Sequence, residues 1–205
     1  MTEAEWLECH NLVDMLSYLS PVGDGRKPLL LACACLARIW NDIEEEARNW
    51  ARIAGEVAEG GGHVTSLYPA DIGCFWEWGH TFPSAYVVED LGWHVLGGDT
   101  ESEKAELREH AKLVRCIFGN PFRSVLRAII ADPAPFVASA PTWIAADVVA
   151  LAKAIYADRA FDGLPILADA LEVAGCMNRD ILDHCREPGP HARGCWVVDL
   201  VLGKK

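Results

Sequence analysis

Apolar side chains recur three and four residues apart along most of this chain. Leu12, Met15, Leu16 and Leu19 form one such stripe, which predicts a short amphipathic helix. Ahead of it, Thr2 and Glu5 stand in the S/T-x-x-E spacing of a capping box, so a first helix is expected over 3–9. Pro21, Gly23 and Gly25 close the second helix with a turn. Pro28 suits the first turn of a third, where a missing N–H costs nothing. The nine residues 29–37 carry no polar side chain, and a helix that is apolar all round is buried all round. That segment is expected at the centre of the fold. Beyond Trp40 the pattern turns amphipathic again. Ile43, Ala47, Trp50, Ile53, Ala54 and Val57 face one way, Glu44, Glu45 and Glu46 face water, and Gly60, Gly61 and Gly62 end the run.

The second half repeats this grammar. A helix over 83–96 is expected from Ala85, Val88, Leu91 and Val95. Thr100 and Glu103 form a second capping box. The helix that follows turns Leu107, Ala111, Val114 and Ile117 or Phe118 inward and stops at Gly119, Asn120 and Pro121. A short helix over 123–131 precedes a Pro-rich link. Thr142 is expected to cap a helix over 143–157, Pro165 to open one that runs to Gly175, and Asn178 to cap one ending near Arg186. Residues 195–202 are apolar enough for a buried helix or a strand. Helix is preferred because no second strand exists to pair with it. The reading is an all-α single domain over 1–205, a bundle or irregular stack of about eight or nine helices.

Composition narrows the function classes. Thirty acidic residues against 18 Lys and Arg give a formal charge of −12, a field that repels phosphate backbones, so no nucleic-acid partner is expected. Arg108, Lys112 and Arg115, followed by Arg123 and Arg127, are offset by Glu103, Glu106 and Glu109 and read as a solvated mixed-charge face. No apolar run reaches the ~20 residues of a membrane span, so no membrane partner is expected. The first residues lack the basic start and apolar core of a secretory signal, which points to the reducing cytoplasm. The eight cysteines are then thiols or metal ligands rather than a disulfide framework.

Several blocks together resemble a family of uncharacterised bacterial helical proteins. They are TEAEWL at 2–7, ACAC at 32–35 before RIW at 38–40, and IFGNPFR at 117–123. AIY at 154–156, AFD at 160–162, LPILADAL at 164–171 and GCWVVDL at 194–200 complete the set. The resemblance covers roughly 1–55 and 108–205 and implies a shared helical fold, with no catalytic residue carried across. That family has an Ala-rich helical middle, whereas this chain carries an aromatic one.

Two constellations hold candidate chemistry. Cys176, His184, Cys185, His191 and Cys195 crowd the C-terminal part, and zinc takes four such soft donors in a tetrahedron. Cys185, His191 and Cys195 are expected to converge, with Cys176 or His184 as fourth donor, although the spacing matches no established zinc module. The bland alternative is packed thiols and capping histidines. No cofactor is expected beyond such a structural zinc. Cys33 and Cys35 lie about 200° apart around a helix and cannot share an ion. The segment 63–98 gathers Trp76, Trp78, His80, Trp93 and His94, a set suited to a binding surface or to core packing. Nucleotide-binding, zinc-protease and serine-hydrolase signatures are absent. A non-enzymatic interaction or adaptor module, with a protein partner or self-association, is therefore expected. The alternative is a metal-dependent hydrolase using the C-terminal Cys and His residues.

Overall fold

The computed structural model describes residues 1–19, 25–61, 100–123 and 141–204. Among these residues the secondary structure is helical, with no strand. The chain gathers into two compact units, Met1–Val114 and Arg115–Lys205. No helix among the described residues is long and apolar enough to cross a membrane. The expected turn at 20–24, the helices over 83–96 and 123–131, and the whole aromatic segment lie outside the described residues.

In the N-terminal unit the helices are α1 (Glu3–Glu8), α2 (Leu12–Leu19), α3 (Arg26–Arg38) and α4 (Glu45–Ala58), and α5 (Glu101–Phe118) starts there. Both capping boxes form. Thr2 and Glu5 exchange backbone-to-side-chain bonds, and Thr100 and Glu103 do the same at α5. Trp6 and Met15 are fully buried, and the Trp6 ring meets Tyr18 at 6.3 Å between centroids. In α3, Leu29, Leu30, Leu31, Ala32, Cys35 and Leu36 are buried. The helix is nevertheless not wrapped all round, since Ala37 is exposed and Cys33 and Ala34 are half-buried. Its apolar outer positions are small, so exposing them costs little.

The partner of α3 is α4, whose most buried residues are Ala51, Ala54 and Ala58. Small side chains let the two helices approach closely enough for Cys33 Sγ to donate to the Ala51 carbonyl at 3.2 Å. Trp50, Ile53 and Val57 close the rim of this contact. The stop after α4 is a Schellman turn. Gly60 adopts φ +80, its N–H reaches the Val57 carbonyl at 3.0 Å, and the Gly61 N–H reaches Glu56 at 2.8 Å.

An ion-pair network also ties α3 to α5. Arg38 grips Glu106 with both Nε and Nη2 and lies 3.9 Å from Glu109. His110, only 3% exposed, sits 3.3 Å from Glu106 Oε1. The hydrogen bond from Arg38 holds the Glu106 carboxyl below its usual range. Burial pulls His110 below its ordinary value despite the attraction of Glu106. Along the same helix Arg108 meets Glu101 and Lys112 meets Glu109, in keeping with a mixed-charge solvated face.

The C-terminal unit holds the last turn of α5 with α6 (Ala146–Asp158), a 3₁₀ turn (Phe161–Gly163), α7 (Leu164–Val173), α8 (Arg179–Arg186) and α9 (Trp196–Leu202). Its core is continuous, from Val148, Ala152 and Ile155 through Leu164, Leu167 and Leu171 to Ile181, Trp196, Val197 and Val198. Asn178 caps α8 by accepting from Ile181 N, as its residue type predicts. The segment 195–202 is helix rather than strand, with Val197, Val198 and Val201 buried. One cap differs from expectation. Thr142 starts no helix, because the Ile144 N–H turns back to the Pro141 carbonyl at 2.9 Å and α6 opens only after Ala145. The intervening turn lets Trp143 and Ile144 pack against the core. Charge divides unevenly, with 20 acidic and 8 basic residues in Met1–Val114 but 10 of each in Arg115–Lys205.

Two predictions test this packing. In the unfolded chain His110 takes up a proton at about pH 6.5, whereas the folded site resists protonation until lower pH. Its contribution is therefore complete above that pH and declines as pH falls toward the folded value. Denaturant titrations at neutral and mildly acidic pH should show that His110→Gln flattens this acid loss. An unchanged slope would refute the assignment. In the other unit, Leu167 is fully buried and Met177 is 86% exposed. Leu167→Ala should cost about 2–5 kcal/mol in equilibrium unfolding and Met177→Ala less than about 0.5 kcal/mol.

Candidate metal centre

Four donor atoms meet inside the C-terminal unit. Cys116 Sγ, His184, His191 and Cys195 Sγ all lie within 4.8 Å of one another. Each arrives from a different local device. Cys116 is in the last turn of α5, held there because Gly119, at φ +70, ends the helix with its N–H on the Arg115 carbonyl at 2.9 Å. His184 lies in the last turn of α8. His191 follows a turn built from Pro188, Gly189 and Pro190, whose fixed φ values leave the loop few shapes. Cys195 is the N-cap of α9, one residue after Gly194 at φ +90.

The distances suit a small ion. His184 Nε2 stands 3.3 Å from Cys195 Sγ, and His191 Nδ1 stands 3.4 Å from Cys116 Sγ. A tetrahedral zinc with bonds of about 2.0–2.3 Å separates its donors by about 3.3–3.8 Å. The four atoms thus need to move by no more than about 1 Å to share one ion. His191 is also oriented from behind. Its Nε2 lies 3.2 Å from the Glu187 carbonyl, which places the ring proton there and leaves the Nδ1 lone pair facing the thiols. The His184 ring packs at 5.3 Å from Trp196 and edge-on to His191 at 5.1 Å.

Electrostatics separate the thiols. Burial alone would raise Cys195. The hydrogen bond with Cys116 and the contacts with His184 and His191 outweigh it and bring Cys195 well below the ordinary thiol range. Burial pulls His191 down, but its bond to Cys195 and the Glu187 carbonyl leave it raised overall. A lowered Cys195 thiol favours the thiolate, the form in which a cysteine ligates metal. Cys185 behaves oppositely. Burial, with Cys195 and Cys176 nearby, pushes it up, so it remains a neutral thiol.

The sequence-predicted residues divide accordingly. His184, His191 and Cys195 fall in the group, whereas Cys176 and Cys185 are buried core thiols outside it. Cys185 faces the core together with Ile181 and Leu182 on the apolar side of α8, while His184 takes the adjoining side. The fourth donor is Cys116, which sequence reasoning passed over. It lies 75 positions before His191 and offers no local spacing to betray it. Its only signal is a cysteine at the edge of the inward stripe of α5. Trp76, Trp78, His80, Trp93 and His94 lie outside the described residues. No family model, curated protein or solved structure matches the chain.

The grouping predicts which cysteines matter. Titration with cobalt(II), read by its thiolate charge-transfer band, should be lost in Cys116→Ala and Cys195→Ala. Cys176→Ala and Cys185→Ala should keep it at full stoichiometry. Retention in Cys116→Ala would remove that residue from the site.

Proposed function

We propose that Cys116, His184, His191 and Cys195 bind one zinc ion as a structural centre, and that the protein is a non-enzymatic helical interaction module. The observation that carries this reading is the convergence of four soft donors within 4.8 Å. Two thiolates and two imidazoles form a set that favours zinc over harder cations. Four protein donors also complete the tetrahedron, whereas a hydrolytic zinc keeps one position for water or substrate. The same count argues against the alternative of a metal-dependent hydrolase.

In this reading the ion supplies a cross-link between segments distant in sequence. Cys116 would tie the end of α5 to the loop that carries His191 and to the start of α9. Structural zinc in small modules contributes an apparent ~10–16 kcal/mol near neutral pH, enough to decide whether such a unit folds. The rest of the protein contributes surface. An apolar row on α7 and the turn after it remains in solvent, with Ile166 63%, Val173 90% and Met177 86% exposed. Such a row supports a binding role more readily than a catalytic one.

Elemental analysis of the purified full chain should find about one zinc per molecule. Removal with a strong chelator should sharply lower the melting temperature, and added zinc should restore it. Substoichiometric metal together with an unchanged melt would end the zinc reading. Light scattering and pull-down from lysate address the second half. A strict monomer that retains no partner would end the interaction reading while leaving the zinc reading intact.

A further inference from the structure

A cleft of about 580 Å³ opens in the C-terminal unit, between the α6–α7 connection and the loop that follows α8. That volume lies within the range of small-molecule sites. Its walls come from Arg159, Phe161, Asp162 and Pro165 on one side and from Arg186, Glu187, Pro188, Pro190 and His191 on the other.

Arg159 is the anomaly. It is the only non-glycine residue with positive φ among the described residues, at φ 56 and ψ 28. Four other helix ends reach the left-handed region through glycine, at Gly60, Gly119, Gly175 and Gly203. The end of α6 needs the same turn and places an arginine there, at a steric cost that glycine would avoid. No internal side-chain contact repays that cost. The Arg159 backbone N–H donates to the Ile155 carbonyl, but among the described residues its side chain makes no ion pair or hydrogen bond, whereas its neighbour Arg186 is held by Asp169 at 2.7 Å and Glu172 at 2.6 Å. Among the described residues, Arg159 thus brings to the cleft a guanidinium without a side-chain partner.

We infer that this cleft binds a molecule carrying a single carboxylate and an apolar body, with Arg159 as the anchor of the carboxylate. A planar guanidinium matches a carboxylate through two parallel hydrogen bonds. Phe161, Pro165, Pro188 and Pro190 offer apolar walls. Asp162 and Glu187 border the same space, so a doubly charged phosphate is repelled more than a singly charged carboxylate. The same two side chains can accept from an amide or ammonium group on the ligand. A free small acid and the C-terminus of a peptide share this chemistry. The inference does not depend on zinc.

The test uses the full chain and calorimetric titration with N-acetylphenylalanine, phenylalaninamide and phenyl phosphate. N-acetylphenylalanine should bind saturably below about 10 mM, with the other two at least about tenfold weaker. Arg159→Gly should lose about tenfold or more in affinity. It should also melt at the same or a higher temperature, because glycine suits this turn, so a folding defect cannot mimic the result. A tripeptide ending in phenylalanine that binds tighter than the single residue identifies a peptide terminus as the source, and equal affinity identifies a small acid. Absence of saturable binding, stronger binding of the phosphate, or undiminished binding by Arg159→Gly would each overturn the inference.

Discussion

A buried polar group must be paired, and the C-terminal unit is organised around that requirement. Cys116 and Cys195 are almost wholly enclosed, and His184 and His191 are half-buried beside them. Their neighbours are the apolar side chains of α6, α7 and α9. Donors placed so deep would destabilise the unit by a few kcal/mol if left without partners. They have partners only because α5, α8, the proline-bounded turn and the start of α9 deliver them to one point. The helix stop at Gly119 and the turn at Gly194 ahead of α9 set where two of those segments arrive. The site is therefore a consequence of how helices end rather than of any single helix.

The N-terminal unit solves its packing by other means. Alanines on α4 allow close approach to α3, and one arginine joins α3 to the acidic face of α5. A partly exposed carboxylate and guanidinium meet there beside the buried imidazole of His110. The uneven charge of the two segments fits this division. Excess acid is carried where packing is by small residues and ion pairs, and the unit with the cysteine and histidine group is balanced.

The periodic helices were legible in the sequence because each carries its own signals. Capping boxes at Thr2 and Thr100, the Asn178 cap and the glycine stops act within a few residues, so spacing reveals them. Thr142 shows where such reasoning fails. The residue type is right for a cap, but a turn closed on Pro141 and the packing of Trp143 against the core shift the helix start. The same limit governs the site. His184, His191 and Cys195 are near neighbours in sequence and were found together, while Cys116 joins them only through tertiary folding. Cys185 was grouped with them because sequence proximity cannot report which side of α8 a residue takes.

The turn through Pro188, Gly189 and Pro190 has one more implication. It joins His184 to His191 with little freedom to lose, so the spacing of the two imidazoles would be set before any ion arrived. Capture of an ion would then require shedding of hydration water rather than a search by this loop. Discrimination by radius would then add to the preference of thiol and imidazole donors for soft ions, since a stiff loop resists spreading for a larger guest.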